Sequence, residues 1–220
     1  MRLVPLAAML AFSLAASAEA ATVLNFDSTR GRNGDTGYVY GDYQEQGFTV
    51  TPDECTATDN TCFVTSGSFA SSLDRTGAAL ATQINPATVT VLKDDGSPFL
   101  LNSILLADFY GNIFGVGRPT DTVRFTFTFA DGTFSMADYM IANTAGQNLT
   151  PNLLTFDLAP LTAFSFVPLA GNQIQFDNIT LSDPAAPAAV PEASAWAMMI
   201  AGFGLIGATL RRRRRTAAFA

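Results

Sequence analysis

The stretch that decides the fold runs from residue 125 to residue 136 and contains two alternating segments. Residues 125–129 read Phe-Thr-Phe-Thr-Phe, and residues 133–136 read Thr-Phe-Ser-Met. Alternation of apolar with hydroxyl-bearing residues has the period of two of a half-buried β-strand. Between the segments lies Asp131-Gly132, a dipeptide typical of two-residue hairpin turns in which both residues have positive φ. The stretch therefore predicts an antiparallel hairpin whose three phenylalanines face the core.

The same pattern recurs along the chain. Residues 88–91 (Thr-Val-Thr-Val) and 161–167 alternate in the same way, and no window shows a sustained amphipathic period of 3.6 residues. In residues 174–181 the apolar positions change parity, so we expect a β-bulge at Asp177-Asn178 if all of them are buried. Repeated short strands separated by turns predict a mainly β domain, an antiparallel β-sandwich of jelly-roll-like architecture, over residues 21–182.

The N-terminus has the composition of a secretory signal peptide. Arg2 is followed by an apolar run and then by Ala18-Glu19-Ala20, with small residues at the positions that signal peptidase requires. We expect residues 1–20 to be removed after Ala20, and the chain to be exported.

The C-terminus contains a second apolar segment. An Ala/Pro-rich linker at 183–190 precedes an uncharged run, in which we predict a transmembrane helix at about 194–210. The arginines at 211–215 follow it, and positive charge is retained on the cytoplasmic side of a membrane. A plain tail anchor without processing is the alternative interpretation.

Residues 191–197, at the start of this tail, read Pro-Glu-Ala-Ser-Ala-Trp-Ala. The tail resembles the PEP-CTERM sorting region, in the variant that reads Pro-Glu-Pro-x-x-Trp-Ala. Ala193 stands where the family has its second proline. The resemblance implies recognition and processing by exosortase, a membrane-embedded transpeptidase-like enzyme of Gram-negative bacteria. It also implies transient residence in the inner membrane and delivery to the cell envelope or extracellular matrix. The residues that match the motif are Pro191, Glu192, Trp196, Ala197, Arg211, Arg212, Arg213, Arg214 and Arg215.

The only cysteines are Cys55 and Cys62. In an exported chain a close pair most often forms a structural disulfide that closes a short loop. A metal site would need further ligands, and the chain has no histidine to supply them. We therefore predict a Cys55–Cys62 disulfide.

Charge and composition narrow the range of functions. Without Arg2, Glu19, Glu192 and residues 211–215, six basic and 17 acidic residues remain, a formal net charge of −11. Such a domain is a poor partner for nucleic acid. Because histidine is absent, a Ser-His-Asp or Cys-His catalytic site cannot be built. We expect a protein that is not an enzyme, with a glycan hydrolase as a remote alternative.

Tyrosines are concentrated in one short segment, where Tyr38, Tyr40 and Tyr43 alternate with glycine and an acid. Aromatic faces stack on the C–H surfaces of sugars, so these residues are candidate glycan contacts. The alternative is that Tyr38 and Tyr40, which share parity, pack as one face of a strand.

Two similar Phe-Asp runs lie near the two ends of the domain, at Asp27 and Asp177. If the terminal strands are neighbours, these carboxylates could converge on Ca²⁺, which takes several oxygen ligands. The alternative is that both residues cap turns. We expect no other cofactor.

The domain itself resembles, more loosely, the galactose-binding-like jelly rolls of carbohydrate-binding modules. The likeness lies in the runs at 25–27, 46–50 and 175–180. Together with the tail, it favours an exported β-sandwich associated with exopolysaccharide or biofilm. A lectin-like module whose main task is glycan binding is the alternative.

Overall fold

The computed structural model describes residues 21–29, 37–58, 60–66, 73, 77–84, 86–108, 120–142, 149–170, 173–185, 197–206 and 211. The chain divides into two compact units, Met1–Pro184 and Ala185–Ala220. A short 3₁₀ turn at Asp27–Thr29 follows the first strand of the first unit. The strands of that unit are β1 Thr22–Leu24, β2 Gly37–Tyr40, β3 Tyr43–Glu45, β4 Phe48–Pro52, β5 Thr61–Ser66, β6 Ala79–Thr82, β7 Val89–Lys93, β8 Leu100–Asp108, β9 Thr120–Phe129, β10 Phe134–Ala142, β11 Asn152–Thr155, β12 Leu161–Pro168 and β13 Ile174–Ser182.

These strands form two sheets, and every strand pair in the described part is antiparallel. Sheet A has the order β11-β8-β13-β6-β5-β2, with β1 also paired to β13. Sheet B has the order β10-β9-β12-β7-β4-β3. Both sheets contribute side chains to one hydrophobic core. The predicted antiparallel β-sandwich is confirmed.

Phenylalanine fills much of this core. Edge-to-face contacts connect the sheets, because Phe176 of sheet A meets Phe166 of sheet B with ring centroids 5.2 Å apart. Burying each such side chain contributes about 1.5–3 kcal/mol. The fully buried phenylalanines are Phe26, Phe63, Phe99, Phe125, Phe127, Phe164, Phe166 and Phe176.

The β9–β10 hairpin is confirmed, but its turn differs from the prediction. Phe129 N–H donates to the Thr133 carbonyl at 2.9 Å, and Gly132 N–H donates to the Phe129 carbonyl at 3.0 Å. Of Asp131 and Gly132, only Gly132 has positive φ, at 84°. The connection is thus a three-residue loop that ends in a glycine bulge. Phe129, adjacent to this loop, is only half-buried, whereas the other two phenylalanines of β9 lie in the core.

The bulge predicted in β13 is also confirmed. The pairing of β13 with β8 changes register between Asp177 and Thr180, and Asn178 has φ of 48°. This extra residue restores the inward parity, so the apolar residues on both sides of the bulge are buried. The first half of β13 pairs with β6 and the second half with β1.

The second unit contains a helix at residues 197–206, which carries large exposed apolar side chains. None of the helices among the described residues has the length and hydropathy needed to cross a membrane. The predicted span at about 194–210 lies partly outside the described residues and stays a prediction. The signal peptide with its cleavage site at Ala20, and most of the 183–190 linker, also lie outside them.

Candidate functional site

Strand β2 lies at an edge of sheet A and presents two aromatic side chains to solvent. Tyr38 and Tyr40 are 55% and 63% exposed, while Val39 between them packs against the core. This is the alternation expected of a strand with one buried face. The rings of Tyr38 and Tyr40 therefore share one face of the strand, as their parity predicts, and that face is accessible to solvent.

The two rings line an open depression of about 360 Å³, here called the β2 depression. This volume lies at the lower end of the range typical of small-molecule sites. Its lining residues come from three strands or their flanking turns, and they are Tyr38, Tyr40, Thr56, Thr61 and Gln83.

One wall of the β2 depression is the loop closed by the Cys55–Cys62 disulfide, which is confirmed. Inside this loop Thr56 N–H donates to the Thr61 carbonyl, and Thr61 N–H donates to Thr56 Oγ1, both at 2.9 Å. Asn60 N–H donates to the Thr56 carbonyl at 3.0 Å. The disulfide and these hydrogen bonds hold the two threonines in place on the wall.

Backbone hydrogen bonds attach this loop to the strands around it. Gln83 N–H donates to the Cys62 carbonyl at 2.9 Å, which places Gln83 at the depression. Gly41 N–H donates to the Asn60 carbonyl at 3.1 Å, directly after β2 ends. Gly41 has φ of 74°, a conformation that glycine adopts without strain. Both sides of the β2 depression are therefore fixed by backbone structure.

Tyr43 lies elsewhere. It belongs to β3 in sheet B, is only 7% exposed, and packs its ring 5.3 Å from that of Phe26. Its hydroxyl is 2.8 Å from Ser28 Oγ, and burial raises the pKa of the phenol. The three tyrosines thus do not form one surface, and only Tyr38 and Tyr40 line the depression.

The described part of the lining of the β2 depression is uncharged. It combines two aromatic faces with hydroxyl groups and one carboxamide, which can both donate and accept hydrogen bonds. Such a set suits a ligand with apolar C–H faces and many hydroxyls. It offers no ion-pair partner to a charged ligand.

Sequence reasoning did not single out Thr56, Thr61 or Gln83. The predicted disulfide was a usable signal for the threonines, since both lie between or beside the cysteines. No local pattern marks Gln83, which reaches the depression only because β6 pairs with β5.

Asp27 and Asp177 are each engaged in hydrogen bonds. Asp27 accepts from Asn25 Nδ2 and from Ala78 N–H, each at 3.0 Å. Asp177 is buried and accepts from Asn178 N–H at 2.7 Å and from Asn178 Nδ2 at 3.0 Å. Within the described residues, no group of three or more acidic or cysteine side chains could hold a metal ion. Calcium binding at Asp27 and Asp177 stays a prediction.

The sequence has two pairs of adjacent acids, Asp53-Glu54 and Asp94-Asp95, and three of these residues accept hydrogen bonds in turns and between strands. Asp95 accepts from Ser97 N–H at 2.8 Å and from Ser97 Oγ at 2.7 Å, and these bonds lower its pKa. Asp94 accepts from Thr49, and Asp53 accepts from Thr88 N–H at 2.7 Å. These contacts are structural.

The sorting residues fall in the second unit. Ala197 is the first described residue of its helix, and Arg211 is helical. The other predicted motif residues, Pro191, Glu192, Trp196 and Arg212 to Arg215, lie outside the described part of the chain.

Comparison with protein families identifies the C-terminal region. The family described as the PEP-CTERM protein-sorting motif matches residues 189–215. The chain carries a PEP-CTERM sorting motif. This motif indicates an exported protein with a membrane-anchored sorting signal of the kind found in Gram-negative bacteria. No curated protein matches the chain.

Among solved structures, the chain is similar to family 29 carbohydrate-binding modules. A variant complexed with mannohexaose is 14% identical, with a TM-score of 0.40 over 74% of this chain and 91% of that one. A second variant is 13% identical, with a TM-score of 0.41 over the same shares. A third, complexed with cellulohexaose, is 12% identical, with a TM-score of 0.34 over 74% and 89%. A likeness this distant says nothing about what the present chain binds.

Proposed function

We propose that this PEP-CTERM protein is an exported, non-enzymatic β-sandwich that binds neutral glycan through the β2 depression. The observation that carries the proposal is the exposure of two neighbouring tyrosines, Tyr38 and Tyr40, at a depression whose other described lining residues are polar and uncharged. Exposed apolar groups that cluster together and are surrounded by polar residues are typical of binding surfaces. The setting of an envelope or matrix protein supplies such a partner in exopolysaccharide.

The chemistry of the lining favours sugars without charge. Tyrosine rings cover the apolar face of a pyranose, and the threonine hydroxyls and the Gln83 amide exchange hydrogen bonds with its hydroxyls. The domain carries a formal net charge of −11, which repels polymers rich in uronic acid or phosphate. An open site of this size is consistent with dissociation constants from about 1 mM to about 1 µM, or roughly −4 to −8 kcal/mol.

The same lining argues against glycan hydrolysis at this place. Glycosidases of the usual kind use two carboxylic acids on opposite sides of the scissile bond. The described residues that line the β2 depression include no carboxylate. We therefore propose binding without turnover.

We propose that exosortase recognises Pro191, Glu192 and Trp196-Ala197, and that the Arg211–Arg215 cluster holds the tail at the inner membrane during processing. What supports this is the match of residues 189–215 to the sorting motif. Release would then deliver the sandwich to the cell envelope or extracellular matrix. A structural role in the matrix, without a dedicated glycan site, is the second candidate, and the sorting motif supports it equally.

Glycan binding by the protein recovered from cells separates these two candidates. We expect retention on an array of neutral β-linked and α-linked polysaccharides, lost in Tyr38→Ala and Tyr40→Ala. Leu153→Ala is the matched control, because Leu153 is 62% exposed on β11 at the opposite edge of the same sheet. If the wild-type protein retains no neutral glycan, or if Leu153→Ala loses binding to the same extent, the β2 depression is not a glycan site.

A further inference from the structure

In the described part of the chain, four strands lie at the ends of the two sheets, in addition to the three-residue β1 that pairs with part of β13, and one of the four differs in length from the rest. Among the described residues, β2 and β11 are four residues long and β3 is three. The fourth edge strand, β10, has nine residues. Soluble β proteins usually limit exposed edges by making them short, by bending them with bulges, or by placing lysine or proline on them.

Charged residues in general also protect an edge, but apart from the single acid Asp138 strand β10 uses none of these devices. Its sequence from Phe134 to Ala142 contains no proline and no basic residue. Its nine residues pair with β9 without a change of register. The edge is thus long, regular and able to accept another strand.

The direction of the free backbone groups follows from the contacts between Ala142 and Asn152. Asn152 holds both polar groups of Ala142: Ala142 N–H donates to its side-chain carbonyl at 2.8 Å, and its Nδ2 donates to the Ala142 carbonyl at 3.0 Å. Ala142 therefore faces away from β9. Because backbone groups alternate sides along a strand, the residues of the same parity, from Phe134 to Met140, also direct theirs to the open edge. Asn152 marks the end of this stretch.

The side chains of that parity are mostly apolar and exposed. Phe134, Met136 and Met140 are 71%, 61% and 75% exposed. The fourth residue, Asp138, is neutralised within the chain by a two-point interaction with Arg124, at 2.7 and 2.9 Å. The edge face is therefore locally uncharged, on a domain whose formal net charge is −11.

We propose that β10 pairs with β10 of a second copy of this chain, so that the two B sheets join as one continuous antiparallel sheet. Two acidic domains repel each other over most of their surfaces, and this face avoids that repulsion because its one acid is already paired. An antiparallel pair of identical strands is self-complementary about a two-fold axis, so no other surface is required.

The axis that fits best passes through Ala137. It pairs Phe134 with Met140 of the other copy, an aromatic–thioether contact, and it pairs Met136 with Asp138. An axis through Asp138 would instead place two Asp138–Arg124 ion pairs directly opposite each other, so that like charges crowd together at the axis. The proposal does not depend on glycan binding, although joining two copies would double the number of β2 depressions per particle.

Oligomeric state tests the proposal, using the protein recovered from cells and measured by light scattering over a concentration series. We expect a dimer for the wild-type protein. Met136→Glu should raise the dissociation constant about tenfold or more, because it places an uncompensated negative charge directly opposite Asp138 of the other copy in both symmetry-related pairs. Leu153→Glu on the β11 edge is the matched control and should leave the dimer intact. Both variants keep the same tail, so association through the tail would be unaffected by either.

Cross-linking tests the register. In a Phe134→Cys/Met140→Cys double variant, we expect disulfide-linked dimers under mild oxidation, since these positions face each other across the proposed axis. A Tyr38→Cys variant should give none. A wild-type protein that stays monomeric throughout the series would overturn the proposal, as would equal dissociation in Met136→Glu and Leu153→Glu. A dimer that forms without the 134–140 cross-link would also overturn it.

Discussion

Phe166 and Phe176 meet edge to face, with ring centroids 5.2 Å apart and ring planes at 77°. Phe166 belongs to β12 at the centre of sheet B, and Phe176 belongs to β13 at the centre of sheet A. Phe176 also contacts Phe26 at 5.5 Å and Phe63 at 6.0 Å. One side chain therefore connects the two sheets with the turn that follows β1.

Replacing Phe176 by alanine should lower the free energy of unfolding by about 3–5 kcal/mol, because it leaves a cavity at this junction. Leu153→Ala removes an exposed side chain and should change the stability by no more than about 0.5 kcal/mol. Chemical denaturation of both variants and the wild type measures the difference. Similar small losses in the two variants would mean that Phe176 is not a core residue.

In the exported protein, Cys55 and Cys62 should be unreactive towards thiol reagents until a reductant is added. Replacing both by serine should cost about 2 kcal/mol of stability, since the closed loop is short. The same variant should weaken glycan binding, because Thr56 and Thr61 depend on the loop for their positions. Mass spectrometry after alkylation of the unreduced protein shows whether the cysteines are free. Labelling of both cysteines without a reductant would contradict the disulfide.

Acidification should change the contributions of two carboxyl groups to the stability of the fold in opposite directions. Burial raises the pKa of Glu45 above its ordinary value of 4.5, although hydrogen bonds from the Phe26 and Asn25 backbone oppose the shift. Its favourable contribution is therefore complete below pH 4.5 and is lost as the pH rises through the raised pKa. Relative to Glu45→Gln, the wild type should gain stability when the pH falls from 7 to about 4.

Asp95 provides the opposite case. Hydrogen bonds from Ser97 hold the pKa of this exposed carboxyl below its ordinary value of 3.8. Its contribution is present above pH 3.8 and is lost as the pH falls through the lowered pKa. Relative to Asp95→Asn, the wild type should lose stability on acidification. Denaturation at several pH values, comparing the wild type with Glu45→Gln and with Asp95→Asn, measures both changes in stability. If both differences change in the same direction with pH, the cause given for one of the two pKa shifts is wrong.

Intact mass and C-terminal peptide mapping should show whether the tail is processed. If exosortase acts at Pro191-Glu192, the mature protein should lack the apolar segment and the arginines. Replacing both motif residues should block release and leave the chain in the inner membrane. Deleting residues 211–215 should instead weaken retention of the span, because these charges hold its cytoplasmic end. Recovery of only full-length chains in the inner membrane would show that the tail is an ordinary anchor.

Much of this protein follows from local sequence. The Phe-Thr alternation of β9 places Phe125 and Phe127 in the core, because side chains of a strand alternate between two faces. The parity change around Asp177 requires a bulge for the same reason. The close cysteine pair indicates its own disulfide, and the sorting motif is a linear signal that needs no folded context.

Other features were decided by tertiary structure. Tyr38, Tyr40 and Tyr43 lie within six residues, yet the chain changes sheets at Gly41 and sends the third tyrosine into the core. Gln83 reaches the β2 depression only through the pairing of β5 with β6. A period of two tells which residues share a face, but strand order, and with it which strand lies at an open edge, depends on contacts between segments far apart in the chain. That is why the exposed length of β10 and the composition of the depression could be read only from the folded protein.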